Sequence, residues 1–198
     1  RTYMEELQKT KQEIRDDIAE NLASLSESEH AAKLKAIENR LFEFANFLES
    51  NIVLLYVNNT HEVSTHSIIK GSFGINKIVV LPAFDPSQKK INLMKIDTFP
   101  SDLIPGPRSI IEPDPGRCKM VPIESIDIAI IPGVAFDERG GRIGSGEGYY
   151  DRFIPKLSVT TRKVALALED QIISQVPIES HDKHVDIIIT EKRIIYKI

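Results

Sequence analysis

The hydrophobic positions of the first fifty residues recur every three or four residues, which is the period of an amphipathic helix. Ser26 and Glu29 have the spacing of a capping box, so a second helix is predicted to begin there. The first stripe contains Leu7, Lys11, Ile14, Ile18, Leu22 and Leu25, and the second contains Leu34, Ile37, Leu41, Phe44 and Leu48. Two helices are therefore predicted to open the chain, and Lys11 is the polar member of the first stripe.

Beyond residue 51 the pattern changes to short, β-branched runs bounded by Pro, Gly, Asn or Asp, which are typical of strands. Several runs are apolar throughout, as expected for strands buried on both faces, and helical patterns at 63–73 and 148–157 separate them. The predicted strands are Ile52–Val57, Lys77–Leu81, Asp127–Ile131, Lys163–Leu168 and Val185–Thr190. Alternating helices and buried strands indicate an α/β fold with helices on both faces of the sheet.

Three further segments refine this architecture. Residues 81–96 and 192–198 have the pattern of antiparallel edge strands, which favours a mixed sheet. Residues 100–122 are rich in proline and are predicted to form a long ordered loop that covers the sheet. No repeat or linker divides the chain. We therefore predict one domain over residues 1–198, a three-layer α/β/α sandwich with a mixed, mostly parallel Rossmann-like sheet and two N-terminal helices.

Composition narrows the function classes. The 198 residues are 41% hydrophobic and 27% charged, as in an ordinary globular protein, and the formal net charge of −4 disfavours a partner with a nucleic-acid backbone. Cys118 is the one cysteine, which excludes an internal disulfide and a four-cysteine metal site and favours a reducing compartment. No apolar run approaches the roughly 20 residues that span a bilayer. We expect a cytoplasmic monomer that binds neither membranes nor nucleic acid.

Residues 140–152, GGRIGSGEGYYDR, concentrate five glycines within nine residues and place polar chemistry directly behind them. Glycine permits positive φ and lets a ligand approach the main chain, while a helix start offers free N–H groups. The segment therefore predicts a cradle for a small anion. Its spacing fits neither the G-x-G-x-x-G fingerprint nor the P-loop. The alternative is a glycine-rich turn that binds no ligand.

The neighbours of this segment favour a phosphate. Arg142 carries a permanently charged fork that can bind phosphate at two points, and Tyr149, Tyr150 and Asp151 begin the following helix. An aspartate there suits Mg²⁺ bridging phosphate oxygens. The alternative for Asp151 and Arg152 is a solvated pair that complements the helix dipole.

A longer motif now becomes recognisable. The stretch IIPGVAFDERGGRIGSGEGYYDRFI closely resembles the signature of the 5-formyltetrahydrofolate cyclo-ligase family. The resemblance extends through KQEIR, HEVSTHSII, IVVLP, IIEP, ALALEDQI and VPIESHDKHVDIIITE. It implies ATP-dependent cyclisation of 5-formyltetrahydrofolate to 5,10-methenyltetrahydrofolate with Mg²⁺, releasing ADP and phosphate through a phosphorylated formyl intermediate.

The same resemblance implies roles for individual residues. Lys11 and Arg15, at i, i+4 spacing on one helix face, would reach the ATP phosphates. Lys11, Arg142 and Tyr149 would be catalytic, and Val57, Glu62 and Tyr149 would contact the folate. Asp151 and Asp182 would hold Mg²⁺. The rest of the nucleotide site would comprise Arg142, Ile143, Gly144, Ser145, Gly146, Glu147, Gly148, Tyr149 and Tyr150.

Two features depart from the simplest interpretation. Ser145 and Glu147 occupy variable positions of the loop, and a glutamate beside polyphosphate repels it unless a cation intervenes. We therefore expect Glu147 to point away from phosphate. His181 and His184 also have a spacing that zinc can use, but no third strong ligand is near in sequence.

Other function classes stay open at this level. One is a non-catalytic nucleotide- or folate-binding module on the same fold, which would need neither both metal carboxylates nor the folate glutamate. Another is a sugar-phosphate isomerase on a similar sheet, which would need no ATP. ATP dependence separates the isomerase from the ligase.

Overall fold

The computed structural model of this chain describes residues 2–177 and 184–197. Its helices are α1 (Tyr3–Ala23), α2 (Glu27–Glu43), α3 (Ala45–Glu49), α4 (His66–Gly74) and α5 (Tyr149–Phe153). Single 3₁₀ turns lie at Ile123–Ser125, Ile154–Lys156 and Glu169–Gln171. The strands are β1 (Ile52–Leu54), β2 (Ile78–Asp85), β3 (Lys90–Ile96), β4 (Leu103–Pro105), β5 (Ile111–Pro113), β6 (Lys119–Met120), β7 (Ile128–Ile131), β8 (Ala135–Phe136), β9 (Arg142–Ile143), β10 (Arg162–Leu166), β11 (Ile187–Ile189) and β12 (Ile194–Tyr196).

Eight strands form one sheet in the order β12-β11-β10-β7-β1-β2-β3-β6. Its central strands β11, β10, β7, β1 and β2 pair in parallel. The outer strands β12, β3 and β6 pair antiparallel to their neighbours. The prediction of a mixed, mostly parallel sheet with antiparallel pieces at 81–96 and near the C-terminal end is confirmed.

Alternate residues of each central strand face opposite cores, which explains why these strands are apolar throughout. On β1, Val53 faces the core beneath α2, α3 and α4, whereas Leu54 faces the core beneath α5. Ile128 and Ala129 on β7 divide in the same way. Helices therefore cover both faces of the sheet, and the three-layer α/β prediction holds, although one layer is thin.

The second predicted helix is interrupted at Phe44. Ser26 caps α2 as predicted, with its Oγ accepting the Glu29 N–H at 3.1 Å, but α2 ends at Glu43 and Phe44 adopts an extended conformation. The bend lets Phe44 and Phe47 both enter the core, where they are 6% and 0% exposed. Leu48 is instead 48% exposed, so its assignment to the buried stripe is wrong.

The proline-rich segment 100–122 contains more regular structure than predicted. Strands β4 and β5 form an antiparallel ladder, and β6 extends the main sheet beside β3. Glu112 on β5 fastens the segment to the sheet, because its buried carboxylate accepts the N–H of Phe84 at 3.0 Å. The loop between β4 and β5 is thereby held over the edge of the parallel strands.

Candidate functional site

The sheet has a topological switch point between β1 and β7. The chain passes from β1 to β2 on one side and later returns through β7 on the other side. Ligands of open α/β sheets bind outside the carboxyl ends of strands at such a point. The residues that follow β1 include Val57 and Glu62, and those that follow β7 lead to residues 140–152. The topology therefore brings two separate parts of the predicted site to one edge.

The hairpin after β7 is fixed by one buried carboxylate. Asp137 is 1% exposed and accepts the N–H groups of Arg139 and Gly141 through Oδ1, at 3.0 and 2.8 Å. Its Oδ2 accepts the N–H of Val176 at 2.8 Å. Strands β8 and β9 pair directly beside it. Asp137 thus sets the direction in which Arg142 leaves the hairpin.

The loop from Gly144 to Gly148 exposes a row of main-chain donors. Gly146 and Gly148 have φ values of 112° and 80°, which other residues rarely adopt. Within the described part of the chain, no acceptor binds the backbone N–H groups of residues 144–149. These groups line an open cleft of about 600 Å³ together with charged side chains. Such a row of free N–H groups suits an anion.

Arg142 is the buried cation of this cleft. Its side chain is 4% exposed, its Nε donates to the Pro132 carbonyl at 2.6 Å, and its Nη1 donates to Asp151 Oδ1 at 3.2 Å. Burial lowers the pKa of Arg142, and the nearby Asp151 carboxylate opposes that shift. A guanidinium nevertheless stays charged at neutral pH. Asp151 is 36% exposed, so its charge remains accessible from the cleft.

Helix α1 supplies two more cations. The Nε of Arg15 donates to the Gly144 carbonyl at 2.7 Å, which ties the helix to the glycine loop. Burial lowers the pKa of Arg15, opposed by the charge of Asp151. Lys11 lines the cleft one turn earlier on the same helix face. The predicted pair of Lys11 and Arg15 therefore meets the predicted loop.

Arg108 also lines the cleft, and the sequence interpretation missed it. It comes from the loop between β4 and β5, lies 4.2 Å above the Phe84 ring and 5.7 Å from the Tyr149 ring, and is 10% exposed. Its Nε donates to Glu147 Oε2 at 3.0 Å. The sequence offered one weak indication of its role, an arginine among the turn-forming residues of PGPRS, but no motif connected this arginine with the site. Glu147 is thus directed at a neighbouring cation.

The two tyrosines have different positions: Tyr149 lines the side of the cleft, and Tyr150 lies beneath Arg142. Tyr149 packs edge-on against Phe84, with ring centroids 4.9 Å apart, and is 4% exposed. Tyr150 is 7% exposed beneath the Arg142 guanidinium, which lies 5.4 Å from its ring. Burial raises the pKa of Tyr150, so its hydroxyl stays protonated at neutral pH. The Ile143 side chain instead faces the core beside Ile18, so its main chain is the part nearest the cleft.

Glu62 lies in a neighbouring hollow between α1 and the segment that follows β1. This hollow has a volume of about 580 Å³ and is also lined by Leu22, Val63 and Leu168. The Glu62 Oε1 accepts the Asn59 N–H at 2.9 Å, and burial raises the Glu62 pKa, opposed by that hydrogen bond and by the charges of Arg142 and Arg108. The hollow is therefore electrostatically coupled to the cleft.

The remaining predicted residues differ in how far the structure places them. Val57 is half-buried and packs against the core beneath α4, and it is not among the described residues that line the cleft or the hollow. Asp182 and His181 lie outside the described residues. In residues 2–177 and 184–197 no group of three His, Cys, Asp or Glu side chains has the arrangement of a metal site. No helix in those ranges is long and apolar enough to cross a bilayer.

Comparison with known proteins gives a consistent result. The model of the 5-formyltetrahydrofolate cyclo-ligase family matches residues 7–191. A Caenorhabditis elegans protein named probable 5-formyltetrahydrofolate cyclo-ligase is 30% identical over 203 residues, which cover 95% of this chain and 96% of the relative. The 5-formyltetrahydrofolate cyclo-ligase of Mus musculus is 26% identical over 190 residues, covering 91% and 93%. The NMR structure of Aquifex aeolicus 5,10-methenyltetrahydrofolate synthetase is 30% identical, with a TM-score of 0.80, and the match covers 94% of this chain and 92% of that one.

Proposed function

We propose the following roles for the cleft residues on the premise that this chain belongs to the 5-formyltetrahydrofolate cyclo-ligase family. The chain is an ATP-dependent ligase that converts 5-formyltetrahydrofolate to 5,10-methenyltetrahydrofolate, and ATP and the folate are its small-molecule substrates. The observation that carries our assignment is the convergence of free main-chain N–H groups with the cations of α1 and β9 at one cleft.

The triphosphate of ATP occupies the cleft between the glycine loop and α1. The N–H groups of residues 144–149 donate to phosphate oxygens, and Lys11, Arg15 and Arg142 supply positive charge around them. Arg142 and Arg15 are already oriented by the carbonyls of Pro132 and Gly144. Such prior orientation lowers the cost of arranging charge during the reaction.

Asp151 fits a Mg²⁺ ligand. Mg²⁺ takes one or two protein carboxylates and completes its shell with phosphate oxygens and water. Oδ1 of Asp151 accepts a hydrogen bond from Arg142, while Oδ2 accepts no hydrogen bond from the described residues. We propose that Asp151 and Asp182 hold the ion, which when bound neutralises phosphate charge. The chain's own contribution is a carboxylate held at the cleft by a buried arginine.

The reaction requires activation of an unreactive formamide oxygen. That oxygen attacks the γ-phosphorus, and the bond from phosphorus to the ADP oxygen breaks. N10 of the folate then attacks the formyl carbon, the carbon–oxygen bond breaks, phosphate departs with the former formyl oxygen, and N10 releases its proton. Lys11 and Arg142 stabilise the phosphoryl group in transit, a task that depends chiefly on positioning and charge. Tyr149 forms the wall that aligns the folate.

Glu62 recognises the pterin end of the folate. A carboxylate accepts hydrogen bonds from the ring N–H groups, and the hollow around Glu62 has apolar walls. Val57 is proposed as an apolar neighbour of this ring. The electrostatic influence of Arg142 on Glu62 supports a pterin site close to the phosphate site, as a transfer between the two substrates requires.

The wider setting belongs to the same proposal. We infer one catalytic domain over residues 1–198, a monomer that works in the cytoplasm without nucleic-acid or membrane partners. The alternative of a non-catalytic binding module is not favoured, because curated relatives of this chain are named as ligases. A sugar-phosphate isomerase could also use a phosphate cradle but would need no ATP, so ATP dependence separates it from the ligase.

A direct assay tests the proposal. The purified protein is mixed with 5-formyltetrahydrofolate, Mg²⁺ and ATP, and the absorbance of the methenyl product is followed. We expect product formation that requires both ATP and Mg²⁺, with one ADP released per product. A folded protein that forms product without ATP, or that forms none, refutes the assignment.

A further inference from the structure

Gln171 is a buried amide that lies between two separate parts of the site. It ends the 3₁₀ turn Glu169–Gln171 after β10 and is 1% exposed. Its Oε1 accepts the N–H of Leu168 at 2.8 Å, and its Nε2 donates to the carbonyls of His61 and Val134 at 3.2 and 3.1 Å. A side-chain amide has two N–H donors, so both are engaged by main-chain carbonyls that are distant in sequence.

The two carbonyls belong to the segments that serve the two substrates in the proposed function. His61 directly precedes Glu62, the proposed pterin ligand. The N–H of Val134 donates to the carbonyl of Ile143 at 2.8 Å, and Ile143 directly precedes the glycine loop. The Gln171 side chain also lines the hollow around Glu62. One amide therefore ties the pterin side of the site to the phosphate side.

The segment after β1 is otherwise anchored close to its own strand. The Tyr56 hydroxyl donates to the Val63 carbonyl at 3.0 Å, within the same stretch of chain. In the part of the chain that the structure describes, no hydrogen bond joins residues 58–65 directly to residues 132–148. The distance between these two segments therefore depends on the bridge that Gln171 makes.

We propose that Gln171 is a positioning residue that keeps the formyl oxygen of the folate aligned with the γ-phosphorus of ATP. This inference rests on the proposed function, because the alignment matters only if the formyl oxygen attacks that phosphorus. A displacement of about 1 Å between reacting groups lowers the rate strongly. Water then attacks the γ-phosphorus in place of the formyl oxygen, and the bond from phosphorus to the ADP oxygen breaks with no methenyl product formed.

Gln171→Met tests this role, because it keeps the length of the buried side chain and removes both donors. Thr161→Val is the matched control. Thr161 is 3% exposed, and its Oγ1 donates to the Ile126 carbonyl at 3.2 Å, at the amino ends of β7 and β10 and away from the site. Each substitution leaves a buried carbonyl without a donor, so both variants should melt at a lower temperature than the wild type. ADP and methenyl product are measured together, below both melting temperatures.

The ratio of ADP to product decides between positioning and stability. Gln171→Met should lower kcat for product about ten-fold or more and raise the ADP released per product to about two or more, whereas Thr161→Val should change neither. A smaller folded fraction lowers both yields together and leaves their ratio unchanged. A wild-type ratio in Gln171→Met therefore overturns the proposal. Gln171→Glu, which keeps the acceptor and at most one donor, gives the same test if Gln171→Met does not fold.

A second measurement does not depend on turnover. Hydrogen exchange detected by mass spectrometry should show faster amide exchange at residues 58–65 and 132–148 in Gln171→Met, and at neither segment in Thr161→Val. Unchanged exchange in Gln171→Met overturns the bridge, and the positioning role with it. A wild type that forms no product overturns the proposed function instead, and the exchange data alone then decide whether Gln171 ties the two segments.

Discussion

Asp151→Asn offers a sharp test of the cleft, because the Asp151 carboxylate has two proposed partners. It pairs with Arg142 at 3.2 Å, and it is the proposed Mg²⁺ ligand within the described residues. The substitution keeps the shape of the side chain and removes its charge. Without Mg²⁺, the variant should bind ATP more tightly than the wild type, because a charge that repels phosphate is gone. With Mg²⁺, the variant should lose the gain that the ion gives the wild type.

The magnitude follows from the geometry. A carboxylate and a phosphate about 5 Å apart repel by about 2 to 3 kcal/mol at an effective dielectric constant of 20 to 40. The Asp151 side chain is 36% exposed, so solvent screening reduces the effect to about 1 kcal/mol, a roughly five-fold change in affinity. The free variant should also melt lower by roughly 2 to 8 °C, because buried Arg142 loses its charged partner.

Calorimetric titration with ATP, in chelator and then in excess Mg²⁺, measures both effects. Asp170→Asn is the matched control, because Asp170 pairs with Lys33 at 3.0 Å and is 31% exposed, but lies outside the cleft. The control should leave both affinities unchanged. If Mg²⁺ improves ATP binding to the Asp151 variant as much as to the wild type, the carboxylate is a counterion of Arg142 and not a metal ligand.

Three further predictions follow from the same contacts. Arg108→Met should raise KM for ATP more than Glu147→Gln does, because Arg108 screens the Glu147 charge from phosphate. The double variant should bring KM for ATP part of the way back, and additive effects in a double-mutant cycle would contradict this. Glu62→Gln should raise KM for the folate yet increase stability at pH 7, because the raised pKa of Glu62 means that its charged form destabilises the folded protein above pH 4.5. Melting curves should show this stability gain disappear below pH 4.5, and a gain that is the same at every pH would contradict the argument. Arg142→Lys should lower kcat/KM about 100-fold, because an ammonium cannot bond to the Pro132 carbonyl and Asp151 and also bind phosphate. Circular dichroism should show an unchanged fold, and a loss in kcat/KM below about three-fold would mean that Arg142 only packs.

The sequence indicated the architecture well wherever burial on two faces left a continuous apolar run. The parallel strands were recognisable from the sequence for this reason. Their order was not, and it is this order in the structure that brings Glu62 near Arg142 at the switch point. The bend at Phe44 was not recognisable, because the apolar stripe continues through it. The strands within 100–122 were also missed, since prolines obscure the period and Glu112 fastens the segment through a contact distant in sequence.

The candidate site was recognisable to the extent that it follows a local motif. Residues 142–151 are contiguous, so glycine spacing and charge revealed them. Arg108 reaches the same cleft from a distant loop, and its contact with Glu147 depends on how β4 and β5 pack. Glu147 was expected to face away from phosphate, and that orientation stays a prediction while its engagement by Arg108 is a structural fact.

The Asp137 carboxylate has a consequence for protein engineering. It secures the hairpin from inside, through three amide contacts that involve neither the exposed Ser145 nor Glu147. The loop of residues 144–148 can therefore be varied while Asp137 holds the hairpin in place. Libraries that vary Ser145 and Glu147, the two non-glycine positions of this loop, should yield folded proteins with altered substrate preference. Replacing Asp137 should instead disrupt the hairpin that holds the loop.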